Sequence, residues 1–437
     1  MNFKVAEFAR IQSIVVRSEF WRIQLLFFAL AFTTALAHAG DWPQILGPNR
    51  DGHATGEKLL DKWPAGGLKP EWTYNVGSGY AGPAIVGKQV IVFHRLGDEE
   101  LVESVDLSTG KRIWRTTFLA TYRGRIDKDT GPRCVPVVKD GRVYVFGAAG
   151  DLHCVSLNNG EELWSRSLFA DYAGDEGYFG AGSTPLVIGD YVIANVGGIK
   201  AGLVGVNAKT GKTVWQATDE APSYAAPTTV TIGGKEQGLF VTRLNALLAD
   251  PATGKTSPLL PFGKRGPTVN AATPLVFDGH VFLTASYDID AVLATLTSPA
   301  MVKWQDGDSL SSQYATPVYH DGYLYGIHGR EDQPPAGVLR CVEAKTGKIQ
   351  WEKPEFGVAH AILAGDKILF AKVDGDLVLA AASPAGYREL ASTVVARVKN
   401  PANRGIIRPL PALSQGRFVT RTNEDGQGKL ISLRVGE

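Results

Sequence analysis

The sequence predicts an all-β fold: an eight-bladed β-propeller of four-stranded antiparallel blades, its ring closed by pairing the N-terminal strand with the C-terminal strands. Three observations carry this expectation. A turn-plus-tryptophan unit recurs along the chain, a proline-led unit recurs about half a period away from it, and the two ends of the chain hold complementary parts of one blade.

The first unit is clearest at residues 207–215, Asn-Ala-Lys-Thr-Gly-Lys-Thr-Val-Trp, with close copies at 106–114, 156–164 and 343–351. Gly110, Gly160, Gly211 and Gly347 supply the positive φ of a tight hairpin, and a Trp follows each by four residues. Weaker copies fill the gaps. Residues 250–258 keep Asp250, Thr253 and Gly254 but hold Pro258 in the Trp slot, 296–304 keep Trp304 without the Gly, and 385–390 keep Gly386 with Leu390 in the slot. Of the nine tryptophans, Trp21, Trp42 and Trp63 lie in the leader and lead-in, whereas Trp72, Trp114, Trp164, Trp215, Trp304 and Trp351 all occupy this slot. Slot spacings run from 39 (Trp351 to Leu390) to 51 (Trp164 to Trp215). Four-stranded propeller blades repeat every 40 to 50 residues or so.

The second unit is a short apolar strand opening on Pro83, Pro136, Pro185, Pro227, Pro274, Pro317 and Pro411, with Ala361 in the remaining slot. Each is followed by a turn, such as Lys139-Asp140-Gly141, and a β-rich run, such as residues 142–146. A blade therefore reads as proline-led inner strand, hairpin, second strand, loop, third strand, Thr-Gly hairpin and Trp-bearing outer strand. Proline is tolerated where a strand begins, since no ladder bond is lost there.

Closure follows from the ends. The strand bearing Trp72 precedes any complete blade, while the segment from Pro411 onward offers three strands and no Trp strand. Pairing the two completes the eighth blade and removes free sheet edges. A closed ring is one domain whatever its length, and is expected to be monomeric.

Residues 1–39 read as a signal peptide, 40–70 as a lead-in segment and 71–437 as the propeller. Lys4, Arg10, Arg17 and Arg22 precede an apolar run over 25–37, and Ala37-His38-Ala39 is a small-x-small cleavage site before Gly40. The run falls short of the roughly 20 residues a spanning helix needs. Export to the periplasm, cell envelope or exterior is expected, with no transmembrane span after cleavage.

The 437 residues carry a formal net charge of +1 without a long run of one sign, which points away from nucleic acid and from a membrane-surface patch. Cys154 and Cys341 each precede a turn Gly by six residues and read as small packed residues of third strands. Cys134 belongs to the inner strand of the blade that holds Cys154. With a strand between them, the pair lies about two strand spacings apart, too far for a disulfide.

The opening Asp41-Trp42-Pro43-Gln44-Ile45-Leu46-Gly47-Pro48-Asn49-Arg50-Asp51-Gly52 and the later Trp63-Pro64-Ala65-Gly66-Gly67-Leu68-Lys69-Pro70-Glu71-Trp72 resemble the start of the PQQ-like β-propeller repeat proteins abundant in planctomycetes and related bacteria. The Thr-Gly-Lys-x-x-Trp repeats resemble the tryptophan-docking motif of the wider quinoprotein propeller superfamily. That superfamily includes PQQ-dependent alcohol dehydrogenases and BamB, a non-catalytic scaffold of outer-membrane protein assembly. The resemblance runs from Asp41 to the C-terminus and implies the fold; its shared residues hold blades together, so it does not by itself imply an activity.

A dehydrogenase of this kind would carry a vicinal cysteine pair over the cofactor, Ca²⁺ held by acidic and amide side chains, and a catalytic Asp. The chain has no Cys-Cys pair, and its nearest local acidic cluster, Asp288 and Asp290, falls in a second-to-third-strand loop and reads as solvated. Cys-x-x-Cys zinc or haem spacing, a phosphate loop and a Gly-x-Ser-x-Gly elbow are also missing. No catalytic or metal-binding residue is assigned; no cofactor is expected, PQQ with Ca²⁺ being the alternative.

The functional signal lies in irregular loops. Residues 122–133 and 171–180 are long, and both link an outer strand to the next blade's inner strand, as do the positions of Lys264, Arg265, His360, Arg404 and Arg408. The expected binding face comprises Arg123, Arg125, Arg133, Asp175, Glu176, Tyr178 and those five residues, with Gly110, Gly160, Gly211, Gly254 and Gly347 and the six slot tryptophans as architecture. Insertions on one side of a repeat array often form its binding side. The mostly positive charge there suggests a protein partner or an anionic ligand. The resulting expectation is an exported, non-catalytic scaffold; the alternative is a PQQ- or other cofactor-dependent oxidoreductase resembling alcohol or sugar dehydrogenases. Mass analysis of exported protein should find the mature N-terminus at or within a few residues of Gly40, and material still beginning at Met1 would contradict the cleavage reading.

Overall fold

The computed structural model describes residues 40–124, 126–333, 337–398, 406–424 and 426–437, so the expected signal peptide, Arg125 and Arg404 lie outside the described residues. Eight four-stranded antiparallel sheets follow one another along the chain. Blades 1 to 7 span 84–119, 137–167, 186–217, 228–261, 275–306, 318–353 and 359–394, and blade 8 combines 412–434 with Pro70–Val76. Seven prolines stand immediately before an inner strand, as Pro136 does before Val137–Lys139. In blade 7 the strand is longer, Ala359–Ala364, and Ala361 falls inside it.

Burial grades outward across a blade. In blade 2 the second strand, Arg142–Phe146, is buried along nearly its whole length, whereas the outer strand, Glu162–Ser167, alternates half-buried and exposed residues. Inner and middle strands are sandwiched between neighbouring blades and read as continuous apolar runs, while an outer strand faces water along one edge.

The tryptophan motif acts between blades. Trp72, Trp114, Trp164, Trp215, Trp304 and Trp351 each donate Nε1–H to a turn carbonyl of the following blade: Leu107, Leu157, Ala208, Pro251, Ala344 and Ser383, at 2.8 to 3.1 Å. In the first five pairs the indole also covers the turn glycine three residues later. A methyl group on Gly110 would lie 2.7 Å from Trp72, and one on Gly254 2.5 Å from Trp215. These glycines also hold φ near +70°, so two independent requirements select the same residue. The motif's polar residue fastens the turn from inside: Asp106 Oδ1 accepts the amides of Ser108 and Thr109 at 3.1 and 2.9 Å, as Asn207 does for Lys209 and Thr210.

The ring closes as the sequence predicts, with Pro70–Val76 antiparallel to Gly428–Arg434 and Trp72 opposite Ser432. A buried polar network reinforces this seam. Glu103 accepts hydrogen bonds from His94, Arg115 and Tyr74 at 2.8, 2.5 and 2.9 Å, and although burial alone would raise its pKa, those bonds hold the carboxyl down at about 2. From blade 8, fully buried Arg421 donates to the carbonyls of Gly77, Phe93 and Ala81 at 2.8 to 3.3 Å.

The lead-in does more than connect. Trp42 exchanges two 2.8 Å backbone hydrogen bonds with Ile85, Pro43 accepts from Val138, Gly52 and Ala54 bridge to Leu363, and Leu60 donates to Val435. Arg50, 2% exposed, reaches the carbonyls of Pro185 and Pro227 at 2.6 and 2.7 Å and Gln44 Oε1 at 2.8 Å. A methyl on Gly52 would press on Val318 at 2.8 Å. The segment thus touches blades 1, 2, 3, 4, 6, 7 and 8 and lines a cavity of about 560 Å³ at the turn end, with Arg50 held by neutral acceptors. Burial lowers that guanidinium to about 9.

Trp215→Ala should cost about 3 to 5 kcal/mol in unfolding free energy, because it removes a buried ring at a blade boundary. The exposed neighbour Val214→Ala should stay within about 0.5 kcal/mol. Denaturant titrations giving equal losses for the two would contradict the inter-blade role.

Candidate functional site

Antiparallel order sorts the loops onto two ends of the ring. First-to-second and third-to-fourth turns emerge at one end, the turn end, where the lead-in enters. Second-to-third loops and blade-to-blade connections emerge at the other, the connection end. Arg123 and Arg133 lie in the connection into blade 2, Asp175, Glu176 and Tyr178 in that into blade 3, Lys264 and Arg265 in that into blade 5, and Arg408 in that into blade 8. His360 is the second residue of the inner strand of blade 7. All the described candidates therefore sit at the connection end.

Some of them meet. Arg408 grips Glu331 with two nitrogens at 2.7 and 3.1 Å, Tyr314 donates to the same carboxylate at 2.8 Å, and a ring nitrogen of His360 bonds the Arg408 carbonyl at 2.8 Å. Arg133 packs against the rings of Tyr80 and Tyr122, at 5.6 and 5.5 Å, beside Asp129 at 3.6 Å. Arg123 pairs with Asp98 at 3.3 Å and Lys264 with Asp288 at 3.1 Å, both in the open; Arg265 is exposed.

These pairs revise the basic entrance expected from the sequence. Asp98, Asp288 and Glu331 come from second-to-third loops that interleave with the connections at the same end, and Asp129 from the Arg133 connection itself. His360 adds no charge, since burial depresses its pKa. Arg123, Arg133, Lys264 and Arg408 are each balanced by a carboxylate.

Asp175, Glu176 and Tyr178 do line a cavity, of about 550 Å³, between the connections into blades 3 and 4. Its wall includes Phe169, Tyr224, Arg243 and Asn195, which sequence reasoning missed. Phe169 belongs to a five-residue helix, Leu168–Tyr172, that starts the connection. The Tyr224 hydroxyl accepts the amides of Tyr178 and Phe179 at 2.8 and 2.9 Å, tying the two connections together. Arg243 donates to the carbonyls of Thr268 and Gly266. Of the four, Tyr224 alone stands beside a repeat marker in the sequence: it lies three residues before Pro227, as Gly182 does before Pro185.

A PQQ–Ca²⁺ centre needs several converging oxygen ligands. Among the described residues, no group of three or more His, Cys, Asp or Glu could hold a metal ion. Cys134, Cys154 and Cys341 are buried, separate thiols whose pKa values burial raises. The donor set does not fit that cofactor. No helix among the described residues is long and apolar enough to cross a membrane.

The repeats, their inter-blade indoles and the strand exchange at closure define an eight-bladed PQQ-like propeller. The family model described as outer membrane protein assembly factor BamB matches residues 98–353, and the chain belongs to that family. It is 23% identical over 367 residues to BamB of Salmonella typhimurium, covering 78% of this chain and 90% of that protein. It is 29% identical over 197 residues to quinohemoprotein alcohol dehydrogenase of Comamonas testosteroni, covering 41% of this chain and 26% of that enzyme, so it spans about a quarter of the enzyme's length. Among solved structures, BamB of Moraxella catarrhalis superposes with a TM-score of 0.60 at 16% identity, over 83% of this chain and 99% of that one. A europium-containing methanol dehydrogenase superposes at 0.65 and 12%, over 90% and 98%. At such identities the superpositions speak for the fold alone.

One further histidine sets a pH dependence. His153 stacks on Phe118 with ring centroids 3.7 Å apart, neither ring nitrogen has a hydrogen-bond partner, and burial lowers its pKa to about 4. Its folded pKa lies below the unfolded value near 6.5, so the unfolded chain binds the proton more readily between those two values. The stability is complete above about pH 6.5 and is lost as pH falls toward 4, by about 3 kcal/mol. Unfolding free energies measured across that window should fall less steeply in His153→Leu than in the wild type, and identical slopes would contradict the assignment.

Proposed function

We propose that the protein is an exported, non-catalytic scaffold that binds a protein partner in the periplasm or cell envelope through its connection end. The observation that carries this reading is the aromatic-walled cavity between the connections into blades 3 and 4, in a ring whose repeated residues are otherwise occupied in holding blades together. The names of the BamB relatives, outer membrane protein assembly factors, suit such a role. An anionic ligand is the narrower variant, supported by exposed Arg265 and by Arg243, which has only carbonyl acceptors. The alternative of a PQQ-dependent alcohol or sugar dehydrogenase draws on the quinoprotein relatives, but the donor set above does not suit it.

A photo-crosslinking residue placed at Glu176 or Lys264, at the connection end, should yield discrete protein adducts in cells of the source organism. The same residue at Lys212 or Asp190, at the turn end, should not. Matching adduct patterns from both ends would contradict the proposal.

A further inference from the structure

We propose that the cavity between blades 3 and 4 binds one residue of an extended peptide through the carboxamide of Asn195, with an apolar peptide side chain lodged among the surrounding rings. The scaffold reading supplies the polypeptide nature of the occupant, and the inference rests on it to that extent; the site itself is read from the cavity.

Asn195 lies on the second strand of blade 3 and is 4% exposed, yet neither its Oδ1 nor its Nδ2 has a hydrogen-bond partner. Buried carboxamides are ordinarily bonded, so an unpaired one calls for a cause. Asn195 lines the cavity wall. It also stands where the ladder between the second and third strands slips register, between Asn195 and Gly198, with Gly197 at φ +76°. Such bulges re-aim side chains and are common beside functional sites. A methyl on Gly197 would strike Pro222 at 2.3 Å, so the connection into blade 4 packs directly on the bulge and fixes its shape.

The other buried hydroxyls of the lining are engaged. The hydroxyls of Ser183 and Ser223 donate to the carbonyls of Ala225 and Val241 at 2.8 and 2.5 Å, and the Tyr224 hydroxyl already accepts two amides. Asn195 therefore holds an acceptor and a donor side by side with their capacity unused, both just beneath the present cavity surface, so an occupant must press the wall apart to reach them. A residue in extended conformation presents its own N–H and C=O toward the same side, because strand residues pair with a neighbour through both groups at once. The carboxamide can thus accept the N–H and donate to the C=O of a single peptide residue. Phe169, Tyr178 and Tyr224 supply the apolar wall, and Ile126, 65% exposed, stands at the mouth. Asp175 and Glu176, with Arg243, put both charge signs in the lining, which suits a chain with polar flanks rather than a simple anion.

The probe is an end-capped, fluorescein-labelled heptapeptide of alternating Val and Thr around a central Phe, titrated against the full exported protein by fluorescence anisotropy. Saturable binding is expected, about tenfold weaker in Asn195→Ala. Methylating the Phe amide nitrogen removes the hydrogen that Oδ1 would accept. The methylated peptide should bind the wild type about tenfold more weakly than the parent, but bind Asn195→Ala as the parent does. Should Asn195→Ala fail to fold, the comparison of the two peptides on the wild type still decides. Absence of saturable binding, equal binding of both peptides to the wild type, or displacement of the peptide by maltoheptaose, which would mark a saccharide site, would each overturn the assignment. Adducts from Glu176 alongside failed peptide binding would overturn the peptide site and leave the scaffold reading standing. Asn195-dependent peptide binding alongside equal adducts from both ends would do the reverse.

Discussion

An indole laid across the turn glycine of the next blade is the interaction on which this ring depends. Each blade is a separate sheet with no backbone ladder to its neighbour, so adhesion comes from side chains crossing the gap and from single backbone bonds between successive connections, such as those of Tyr80 and Ala81 to Pro132. The slot tryptophan crosses it with a large apolar face and one directed hydrogen bond. The glycine beneath must be bare, and the turn must present a carbonyl three residues earlier. Where the slot lacks Trp, other apolar packing takes over. Leu259 and Leu260 of blade 4 and Phe262 just after it share a core with Val281, Leu283 and Val292 of blade 5, and Leu390 packs on the core that joins blades 7 and 8.

Closure imposes a second constraint, because the eighth blade is assembled from both ends of the chain. Its joint with blade 1 is held by Trp72 and by the polar network around Glu103 and Arg421, while the lead-in ties blades together at the turn end. Arg50 is buried there without a carboxylate, which is tolerable because carbonyls of two blades and Gln44 take its hydrogens. The lead-in thereby occupies part of the turn end, with a cavity left beside Arg50. The connection end is left with irregular loops, the cavity and the strand bulge.

Much of the fold was legible in the sequence because its determinants are local and repeated: a Gly with positive φ, a Trp four residues on, a Pro before seven of the eight inner strands. The closing strand was legible from counting. The lead-in's role was not, since Arg50, Gly52 and Pro43 meet partners more than 80 residues away through backbone carbonyls and amides that any residue could supply. The candidate site was half legible. Loop length singled out Asp175, Glu176 and Tyr178, but the connection holding Tyr224 is short, and Asn195 looks like an ordinary strand residue until the bulge turns it. Single-sequence charge counting found the arginines and missed that Asp98, Asp288 and Glu331, from other loops, lie against them.

The propeller fold is common to BamB and to quinoprotein dehydrogenases, so the scaffold reading turns on whether this ring carries a cofactor or a partner. Isothermal titration of the purified protein with PQQ in the presence of Ca²⁺, followed by a dye-reduction assay with alcohols and sugars, tests this most directly. The account predicts no stoichiometric uptake and no substrate-dependent dye reduction. One PQQ bound per chain, with dye reduced in proportion to added substrate, would contradict it.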